Sequence, residues 1–477
     1  MNPNQPCGLL HIIKINHYMM KRLLAAFFSF VLFASVIAVG QGRVWTLEEC
    51  IKHAIDNNIQ IKQQEIQTKV QENSLDLSKF KLLPTLNGSA THNYSFGRAL
   101  DETTYQYTSE QTVQSNNFYI GGSLNLFSGL QNYNTIQRNK YEVLAGQQDL
   151  QNTKDNIALN VALAYLQILL NKELVLATES QLAITLQQIE KTQKLVDAGS
   201  VARGNLLEIQ AQAAREDLQL INVKNQLDIS ILNITQLLEL QTTEGFDITA
   251  PLLVVDTNTI VSGNPDDIYA TAEPLRPEIK SAELKLSARK YDLKTTQGGR
   301  SPRLYLTNSF STGYSDIRKK LLGVDPATGP IYGKYSFGDQ LNDNINYGIG
   351  FSLNIPILNG WQVNSNIKNS KLNIENSNYT LEATKKQLYK NIQQAYTDAT
   401  AALKKYDSSV KAVESMQEAF RYSEQKFDVG MVTSVEYNAS KSNLLNAQSQ
   451  LSQAKYEYVF KTKVLDFYKG LPLSLGN

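Results

Sequence analysis

The sequence has few of the residues that carry enzyme or metal chemistry. Its 477 residues include two cysteines, Cys7 and Cys50, and four histidines without metal-ligand spacing. Two cysteines cannot build a disulfide framework or a four-ligand zinc site. A phosphate-binding glycine loop, a nucleophile elbow and a suitably spaced acid and base pair are also missing. We therefore expect a protein that is not an enzyme and has no catalytic residues, bound metal or cofactor.

The sequence also has no excess of positive or negative charge. The chain has 46 Lys and Arg against 45 Asp and Glu, and charged residues make up 19% of it. No basic block stands out, which argues against nucleic acid as a partner. Tyrosine (24) outnumbers phenylalanine (16), and amphipathic rings suit surfaces that are wet on one side and apolar on the other.

The amino terminus has the three parts of a secretory signal. Lys21 and Arg22 are followed by an apolar run over residues 23–39 and by small residues ending at Gly40. This pattern predicts a cleaved signal peptide over 1–40, with translation beginning at Met19 or Met20. The run is near the lower limit of about 17 residues for a spanning helix, so an uncleaved anchor is the alternative. We find no comparable run beyond Val39, so a mature membrane protein would have to cross as β-strands.

The chain contains an internal repeat at a fixed offset. Two pairs of segments match 231 residues apart, Leu126–Gln131 with Ile357–Gln362 and Val196–Val201 with Phe427–Val432. Pro84 and Pro302 match at an offset of 218, so the second half has 13 extra residues, which we expect in a loop. Each half is predicted to hold a helix, a strand pair and a long helical hairpin. The predicted division is a first repeat over 41–250, an inter-repeat segment over 251–274 and a second repeat over 275–477.

Long helices are predicted between the repeated glycines. Gly129 to Gly199 and Gly360 to Gly430 span equal lengths that contain no proline and only one internal glycine, Gly146. A helix of this length would extend about 100 Å at about 1.5 Å per residue. After each second glycine, apolar residues recur every seven positions, which indicates a coiled-coil-like seam: Leu206, Ala213, Leu220, Leu227 and Ile234, then Tyr437, Leu444, Leu451, Tyr458 and Leu465. Each half is therefore predicted to form an antiparallel helical hairpin that turns at Gly199 or Gly430.

The segments before Gly129 and Gly360 have the period of two that marks β-strands. Residues 118–126 and 347–355 alternate between apolar and small or polar side chains, and residues 86–96 and 304–314 are their predicted partner strands. Polar loops are expected over 97–116 and 315–345. This alternation is typical of outer-membrane strands, although a soluble β-sandwich shows it too.

Four strands cannot close a barrel, because an open edge in lipid leaves unpaired backbone groups. Several chains would have to share one barrel. Three chains would give 12 strands, wide enough for a pore, whereas two would give eight, whose side chains nearly fill the interior. The strand count therefore favours a trimer.

These features resemble the TolC-like outer-membrane efflux family. The resemblance rests on Trp45-Thr46-Leu47-Glu48-Glu49-Cys50 with Asn57-Asn58, on the two strand–glycine junctions, and on the duplicated turns Asp197-Ala198-Gly199-Ser200-Val201 and Asp428-Val429-Gly430-Met431-Val432. It covers nearly the whole mature chain. It implies a mixed, mostly α fold: a homotrimer in which four transmembrane strands per chain form a shared 12-stranded outer-membrane barrel, continuous with a periplasmic tunnel of helical hairpins.

The resemblance also implies a function and its partners. Members are exit ducts that receive drugs, other small molecules or secreted protein from an inner-membrane transporter and a periplasmic adaptor. A duct dedicated to type I protein secretion, and an exported coiled-coil protein without a pore, are the alternatives. Neither the cargo nor the particular pump can be read from the sequence.

Two sets of site residues follow from the resemblance. In the family, acidic residues after the turn glycine ring the closed end of the tunnel. The matching positions here are Asn205 and Glu208 in the first half and Glu436 in the second, so each turn keeps one carboxylate. Three chains would place up to six carboxylates near one aperture, where they would attract cations. The alternative is that Glu208 and Glu436 only stabilise the first turn of a helix.

The turns themselves correspond to the family's docking surface for the adaptor. The residues concerned are Gly199, Ser200, Val201, Gly430, Met431 and Val432. Small apolar side chains at an exposed turn often mark a partner surface. Packing within the turn is the alternative reading.

Overall fold

The computed structural model of the chain describes residues 44–101, 103–251 and 264–474, and most of these residues are helical. The predicted signal peptide and residues 252–263 of the predicted inter-repeat segment lie outside the described residues. The helices are α1 (Leu47–Asn57), α2 (Ile59–Phe80), α3 (Gln131–Asp197), α4 (Arg203–Leu237), α5 (Pro265–Ala272), α6 (Pro277–Gln297), α7 (Phe337–Asp343), α8 (Gln362–Asp428) and α9 (Ser434–Tyr468). The strands are β1 (Val44–Trp45), β2 (Thr85–Gly97), β3 (Leu100–Asp101), β4 (Gln106–Tyr107), β5 (Gln111–Phe127), β6 (Asp247–Ile248), β7 (Arg303–Ser315), β8 (Lys319–Asp325), β9 (Gly329–Lys334) and β10 (Asn346–Asn354).

The repeat seen in the sequence is a repeat of structure. Helices α3 and α8 each have 67 residues, and α4 and α9 each have 35. Helix α3 packs along α4, and α8 packs along α9, so each half contains one long hairpin. Because both pairs match in length, the two turns lie at equivalent distances from the strands.

Four strands form one antiparallel sheet in the order β10-β7-β5-β2. The central pair, β5 with β7, joins the two halves of the chain, while β2 and β10 form the edges. Side chains alternate between the faces, so the apolar residues of β10, Tyr347, Ile349, Phe351 and Leu353, share one face. The other face carries small and polar residues such as Ser352.

Each long helix that follows a sheet strand is preceded by two consecutive residues with left-handed backbone. Gly129 and Leu130 have φ of 62° and 61°, and Gly360 and Trp361 have φ of 58° and 66°. Positive φ is uncommon for residues with a Cβ. Since the same strained pair recurs in both halves, the strand-to-helix bend is a duplicated feature of the backbone.

The main hydrophobic core lies where α1, α3 and α4 meet. Cys50, Tyr165 and Ile234 are almost fully buried there. The hydroxyl of Tyr165 lies 3.2 Å and 2.6 Å from the carbonyl oxygens of Trp45 and Thr249. Trp45 belongs to β1 and Thr249 follows β6, and these two strands form a short parallel pair, so the core holds the start and the end of the first half together.

Three sequence expectations need correction. The region 97–116 is not a plain loop, because it contains the antiparallel pair of β3 and β4 and the first residues of β5. The region 315–345 is not a plain loop either, because it contains the β8–β9 hairpin and helix α7. The expectation that no run beyond Val39 is apolar enough to span a membrane is wrong for α3, which contains one segment that qualifies by length and composition. Half of that segment is buried, and α3 supplies Val161, Tyr165 and Ile168 to the core, so packing explains its apolar character.

Candidate functional site

The candidate site is formed by the two turns at the far ends of the hairpins. Gly199 and Gly430 have φ of 74° and 76°. The residue after each glycine donates its backbone N–H to a carbonyl five residues earlier, from Ser200 to Leu195 and from Met431 to Lys426, at 2.9 and 2.8 Å. This is the hydrogen-bond pattern of a Schellman helix end, in which glycine takes the left-handed position. Both turns therefore end their long helices in the same way.

The helices that leave the two turns begin differently. Thr433 precedes α9, and its hydroxyl accepts the N–H of Glu436 at 3.2 Å. The equivalent position before α4 is Ala202, which has no side-chain oxygen to offer. A threonine cap stabilises a helix start by about 1 kcal/mol relative to alanine. The first turn of α9 is therefore better fixed than that of α4.

A cleft of about 480 Å³ separates the ends of the two hairpins. Its apolar wall includes Leu195, Ile209 and Phe427, and its polar wall includes Lys191, Asp428 and Thr433. Lys191 and Asp428 form an ion pair across it at 2.9 Å. Both side chains are more than half exposed, so the pair contributes at most about 1 kcal/mol. This ion pair therefore holds the two sides of the cleft together only weakly.

The structure brings most of the sequence-predicted residues to this cleft. Asn205 and Glu436 line it, as do Val201, Gly430, Met431 and Val432. Glu208 lies beside it, where its carboxylate accepts the hydroxyl of Ser434 at 2.5 Å. Gly199 and Ser200 are exposed at the turn and do not line the cleft. The two predicted sets therefore share one location, and their roles stay predictions.

Aromatic rings close the inner end of the second turn. Phe427 stacks on Tyr437 with ring centroids 4.7 Å apart and an interplanar angle of 24°, and Phe420 packs at 5.5 Å. Burial raises the pKa of Tyr437 to about 12, and the carboxylates of Glu424 and Asp428 act in the same direction. Tyr437 therefore stays protonated and packs as an aromatic residue at neutral pH.

Sequence reasoning missed a buried polar cluster farther from the turns. Lys441 on α9 and Glu216 on α4 are 4% and 5% exposed. Burial lowers the pKa of the Lys441 ammonium, while Glu216 acts in the opposite direction. The heptad spacing contained the signal, because Lys441 follows the seam residue Tyr437 by four positions and Glu216 follows Ala213 by three. Those positions face the helical seam, where charged residues are rare.

No group of three or more His, Cys, Asp or Glu that could hold a metal ion occurs within residues 44–101, 103–251 and 264–474. The carboxylate of Glu208, beside the cleft, accepts a hydrogen bond from Ser434.

Comparison with known proteins places the chain in a family. The family model described as outer membrane efflux protein matches residues 50–239 and 268–468. These two matched ranges cover both hairpins and all four strands of the sheet. The match therefore spans most of the chain.

Curated relatives agree with the family match. The chain is 23% identical over 348 residues to the outer membrane efflux protein BepC of Brucella suis biovar 1 (strain 1330), covering 72% of this chain and 67% of BepC. It is 24% identical over 388 residues to the outer membrane protein TolC of Escherichia coli (strain K12), covering 79% and 72% of the two chains.

Solved structures agree in fold. The CmeC outer membrane channel of Campylobacter jejuni superposes with a TM-score of 0.74 at 16% identity, over 90% of this chain and 87% of CmeC. The duplicated hairpins, the shared sheet and the matches in sequence lead to one conclusion. The chain belongs to the outer membrane efflux protein family, as a TolC-like channel protein of the outer membrane.

Proposed function

We propose that the chain is the outer-membrane channel and periplasmic exit duct of a tripartite efflux or secretion system. Three copies form the channel, an adaptor binds their turns, and an inner-membrane transporter delivers small molecules such as drugs or toxic compounds. The duct conducts these molecules passively and is not an enzyme, in line with relatives that are channel proteins.

The observation that carries this proposal is the open four-stranded sheet. Strands β2 and β10 are its edges within the described part of the chain, and an unpaired edge in lipid costs several kcal/mol for each unsatisfied backbone group. Pairing β10 of one copy with β2 of the next removes every edge at once. Three copies then give a closed barrel of 12 strands with room for a pore.

The faces of the sheet support the same assembly. Ile349 and Phe351 are 79% and 72% exposed, although large apolar side chains are normally buried in a water-soluble sheet. Contact with lipid would remove the cost of exposing these side chains to water. The opposite face, with Ser352 and Thr307, then lines the pore.

The cleft between the turns supports docking of the adaptor. Met431 is 75% exposed beside the apolar wall formed by Phe427 and Leu195. A helical hairpin of the adaptor could cover Met431 and Val432 and bury them. The glycines at the turns, Gly199 and Gly430, leave the ends free of side chains at the point of approach.

The same region would form the aperture of the tunnel. Glu208, Glu436 and Asn205 lie at or beside the cleft, so three copies bring several carboxylates to the narrow end. Like charges gathered at an aperture attract cations and repel anions. The bond from Ser434 to Glu208 makes Glu436 the more accessible of the two carboxylates.

The alternatives differ in what they require. A duct for type I protein secretion needs the same barrel and tunnel, and differs only in its transporter and cargo. An exported coiled-coil protein without a pore has no use for a sheet with an exposed apolar face, and membership in an outer-membrane channel family argues against it.

The mass of the detergent-extracted protein tests the proposal. We expect the outer-membrane fraction to yield particles whose protein mass, measured by light scattering with the detergent subtracted, is about three times that of the mature chain. A monomer or dimer, or protein found only in the soluble periplasmic fraction, would contradict the shared barrel.

Docking is tested separately at the turn. Gly430→Pro should abolish efflux while leaving the trimer intact, because proline cannot adopt the left-handed conformation found at Gly430. Gly470→Pro is the matched control, since Gly470 has φ of 81° at the opposite end of α9. Loss of the trimer in Gly430→Pro would mean that the turn serves packing instead.

A further inference from the structure

The two hairpins of one chain are joined by a buried charged contact. Lys441 of α9 belongs to the second hairpin, and Glu216 of α4 belongs to the first. Their side chains are 4% and 6% exposed, and Lys441 Nζ lies 3.9 Å from Glu216 Oε1. Removing two charges from water is costly unless their hydrogen bonds are replaced.

The surrounding groups replace those hydrogen bonds. Lys441 Nζ donates to the hydroxyl of Thr185 at 2.6 Å and to the carbonyl oxygen of Gln181 at 3.2 Å, both on α3. Glu216 accepts bonds from Thr185 Oγ1 and from the side-chain amides of Gln181 and Gln212, the amides at 3.3 and 2.9 Å. The ammonium is therefore held by both helices of the first hairpin.

This cluster is not copied in the other half. At the offset of 231, Glu216 corresponds to Ala447, Thr185 to Met416 and Lys441 to Gln210. Elsewhere the halves match closely, with long helices of 67 and 35 residues in each. The charged contact is thus one of the places where two otherwise similar hairpins differ.

Similar hairpins create a pairing problem. In a seam whose positions alternate three and four residues apart, one helix can slide by one turn, about 5.4 Å, and still bury its apolar side chains. A polar residue at a seam position prevents such sliding, because any other register leaves it buried without a partner. Lys441 occupies a position of that kind.

We propose that Lys441, with Glu216, Thr185 and Gln181, fixes the axial register of the second hairpin on the first. The cluster selects one pairing of the duplicated hairpins. It therefore fixes the axial position of the turn of the second hairpin relative to that of the first. This inference goes beyond the proposed function, because it concerns the packing of the hairpins whatever passes through the channel.

Two neighbouring contacts depend on the same register. Ser434 bonds to Glu208 nearer the turns, and Ser452 donates to Glu173 at 2.9 Å on the far side. Ser452 and Glu173 are partly exposed, and water can replace that bond if the helices slide. Lys441 and Glu216 have no such replacement, so they make a shifted register costly.

Crosslinking measures the register directly. In the full-length protein in outer membranes, Glu208→Cys is combined in turn with Ser434→Cys, Asn438→Cys or Ser442→Cys, which are about one turn apart on α9, and treated with a short bis-methanethiosulfonate crosslinker. Bands of single-chain mass are then identified by peptide mass spectrometry. With Lys441 and Glu216 present, we expect the Ser434 pair to exceed the other two by about 100-fold, as breaking a buried ion pair predicts.

The same three pairs are then measured in the Lys441→Met/Glu216→Leu background. This double change keeps the site filled but removes the charges, so folding should persist while the shifted pairs rise at least about tenfold. Lys441→Met alone leaves Glu216 buried without its cation and should lower the melting temperature, which the double change should restore. If the apolar double variant does not fold, Lys441→Gln/Glu216→Gln serves as the neutral variant and is scored in the same way.

A second ion pair on α9 provides the matched control. Lys461 contacts Asp398 at 2.7 Å, but both belong to the second hairpin. Lys461→Met/Asp398→Leu should leave the crosslinking pattern unchanged. If the Lys441/Glu216 double variant keeps the parental pattern, or if the control shifts it equally, the inference is wrong.

Discussion

Glu436 shows what a single side chain could contribute at the proposed aperture. Its backbone N–H is capped by Thr433, and its exposed carboxylate lines the cleft. We predict that Glu436→Gln lowers the cation preference of the channel and weakens block by divalent cations, because the aperture loses one charge per copy.

Single-channel recording in planar bilayers checks this prediction. Glu418→Gln is the control, since Glu418 is exposed on α8 and paired with Arg421 within the same helix. Unchanged conductance and block in Glu436→Gln would leave the carboxylate with the role of stabilising its helix.

Because Tyr437 is buried, we predict that the stability of the folded protein falls at alkaline pH. Its pKa rises from 10.0 to about 12 because it is buried near carboxylates. The folded state therefore binds the phenolic proton more tightly, and this stabilisation is present below about pH 10 and lost as the pH rises toward 12. The expected loss is about 2–3 kcal/mol at about 1.4 kcal/mol per pH unit.

Tyr437→Phe removes the phenol and keeps the ring. Melting temperatures followed by circular dichroism should fall less between pH 10 and 12 in this variant than in the parent. Other buried tyrosines titrate in both proteins, so the difference between the two isolates Tyr437. Identical pH profiles would show that Tyr437 ionises normally.

For single residues, the sequence predicted which positions belong to the candidate site better than it predicted their contacts. The turn glycines and the carboxylates of Glu208 and Glu436 were identified from motifs, and the structure places both carboxylates near one cleft. The bond between Ser434 and Glu208 joins residues 226 positions apart. Periodicity along one helix carries no information about which other helix it faces, so this bond could not be predicted.

The strand-to-helix bends differ in their surroundings, although their backbones match. A Cβ at Gly129 would lie 2.5 Å from the carbonyl oxygen of Gly298, whereas a Cβ at Gly360 would meet nothing within 4 Å among the described residues. Both glycines have positive φ, which costs an L-residue about 1–2 kcal/mol. We predict that Gly129→Ala destabilises the protein by about 2–4 kcal/mol and Gly360→Ala by about half as much.

Thermal unfolding of the two alanine variants measures the difference. The equivalent positions make each variant the control for the other. Equal losses of melting temperature would mean that the close backbone contact between Gly129 and Gly298 adds nothing.

The two faces of the sheet predict different effects of lysine substitutions at adjacent residues of β10. Phe351 lies on the apolar face of β10 and Ser352 on the polar face. If the apolar face meets lipid, Phe351→Lys should cost up to about 2–4 kcal/mol and reduce the yield of folded trimer, while Ser352→Lys should be tolerated. Heat resistance of the trimer on gels is a suitable measurement, and the reverse order would assign lipid to the other face.

Helices and strands were predicted well where the same hydrophobic period continues over many residues. The long helices and the four sheet strands were located to within a few residues, except that β5 begins earlier, at Gln111. The β8–β9 hairpin and α7 were missed because their stretches of six or seven residues are too short for a period to emerge. Helix α7 depends instead on tertiary contacts, such as the bonds of Gln340 to the backbone of Ser315.

The equal lengths of the hairpins have a consequence for the whole molecule. Deleting residues 174–180 and 221–227 removes one heptad from each arm of the first hairpin and should retract its turn by about 10 Å. We predict that this deletion abolishes efflux, because the two turns no longer lie at one level. Deleting 405–411 and 452–458 as well, the equivalent residues of the second hairpin, should restore a shorter channel.

Electron microscopy of detergent particles measures these lengths. The parent should appear as a rod with helices extending about 100 Å from the membrane belt. The fully matched deletion should give rods about 10 Å shorter with a normal melting temperature. If the one-sided deletion retains efflux, equal length of the hairpins is not required.

For the whole molecule, the sequence supports the proposed trimer only through the number of strands in each chain. Four strands are too few for a barrel, and that deficit predicts association without giving its geometry. The apolar side chains of β10, such as Ile349, are exposed on one face of the sheet, and lipid contact is our proposal for that face. The turns at Gly199 and Gly430 are the proposed docking surface, and the sequence of this chain does not identify the adaptor that would bind there.

The short pairing of β1 with β6 closes the first half of the chain on itself. Val44 pairs with Asp247 and Trp45 with Ile248. The core around Tyr165 takes its buried residues from this half, apart from Val459 of α9. Because domains tend to fold as units, a chain truncated after Thr249 should still collapse around Tyr165.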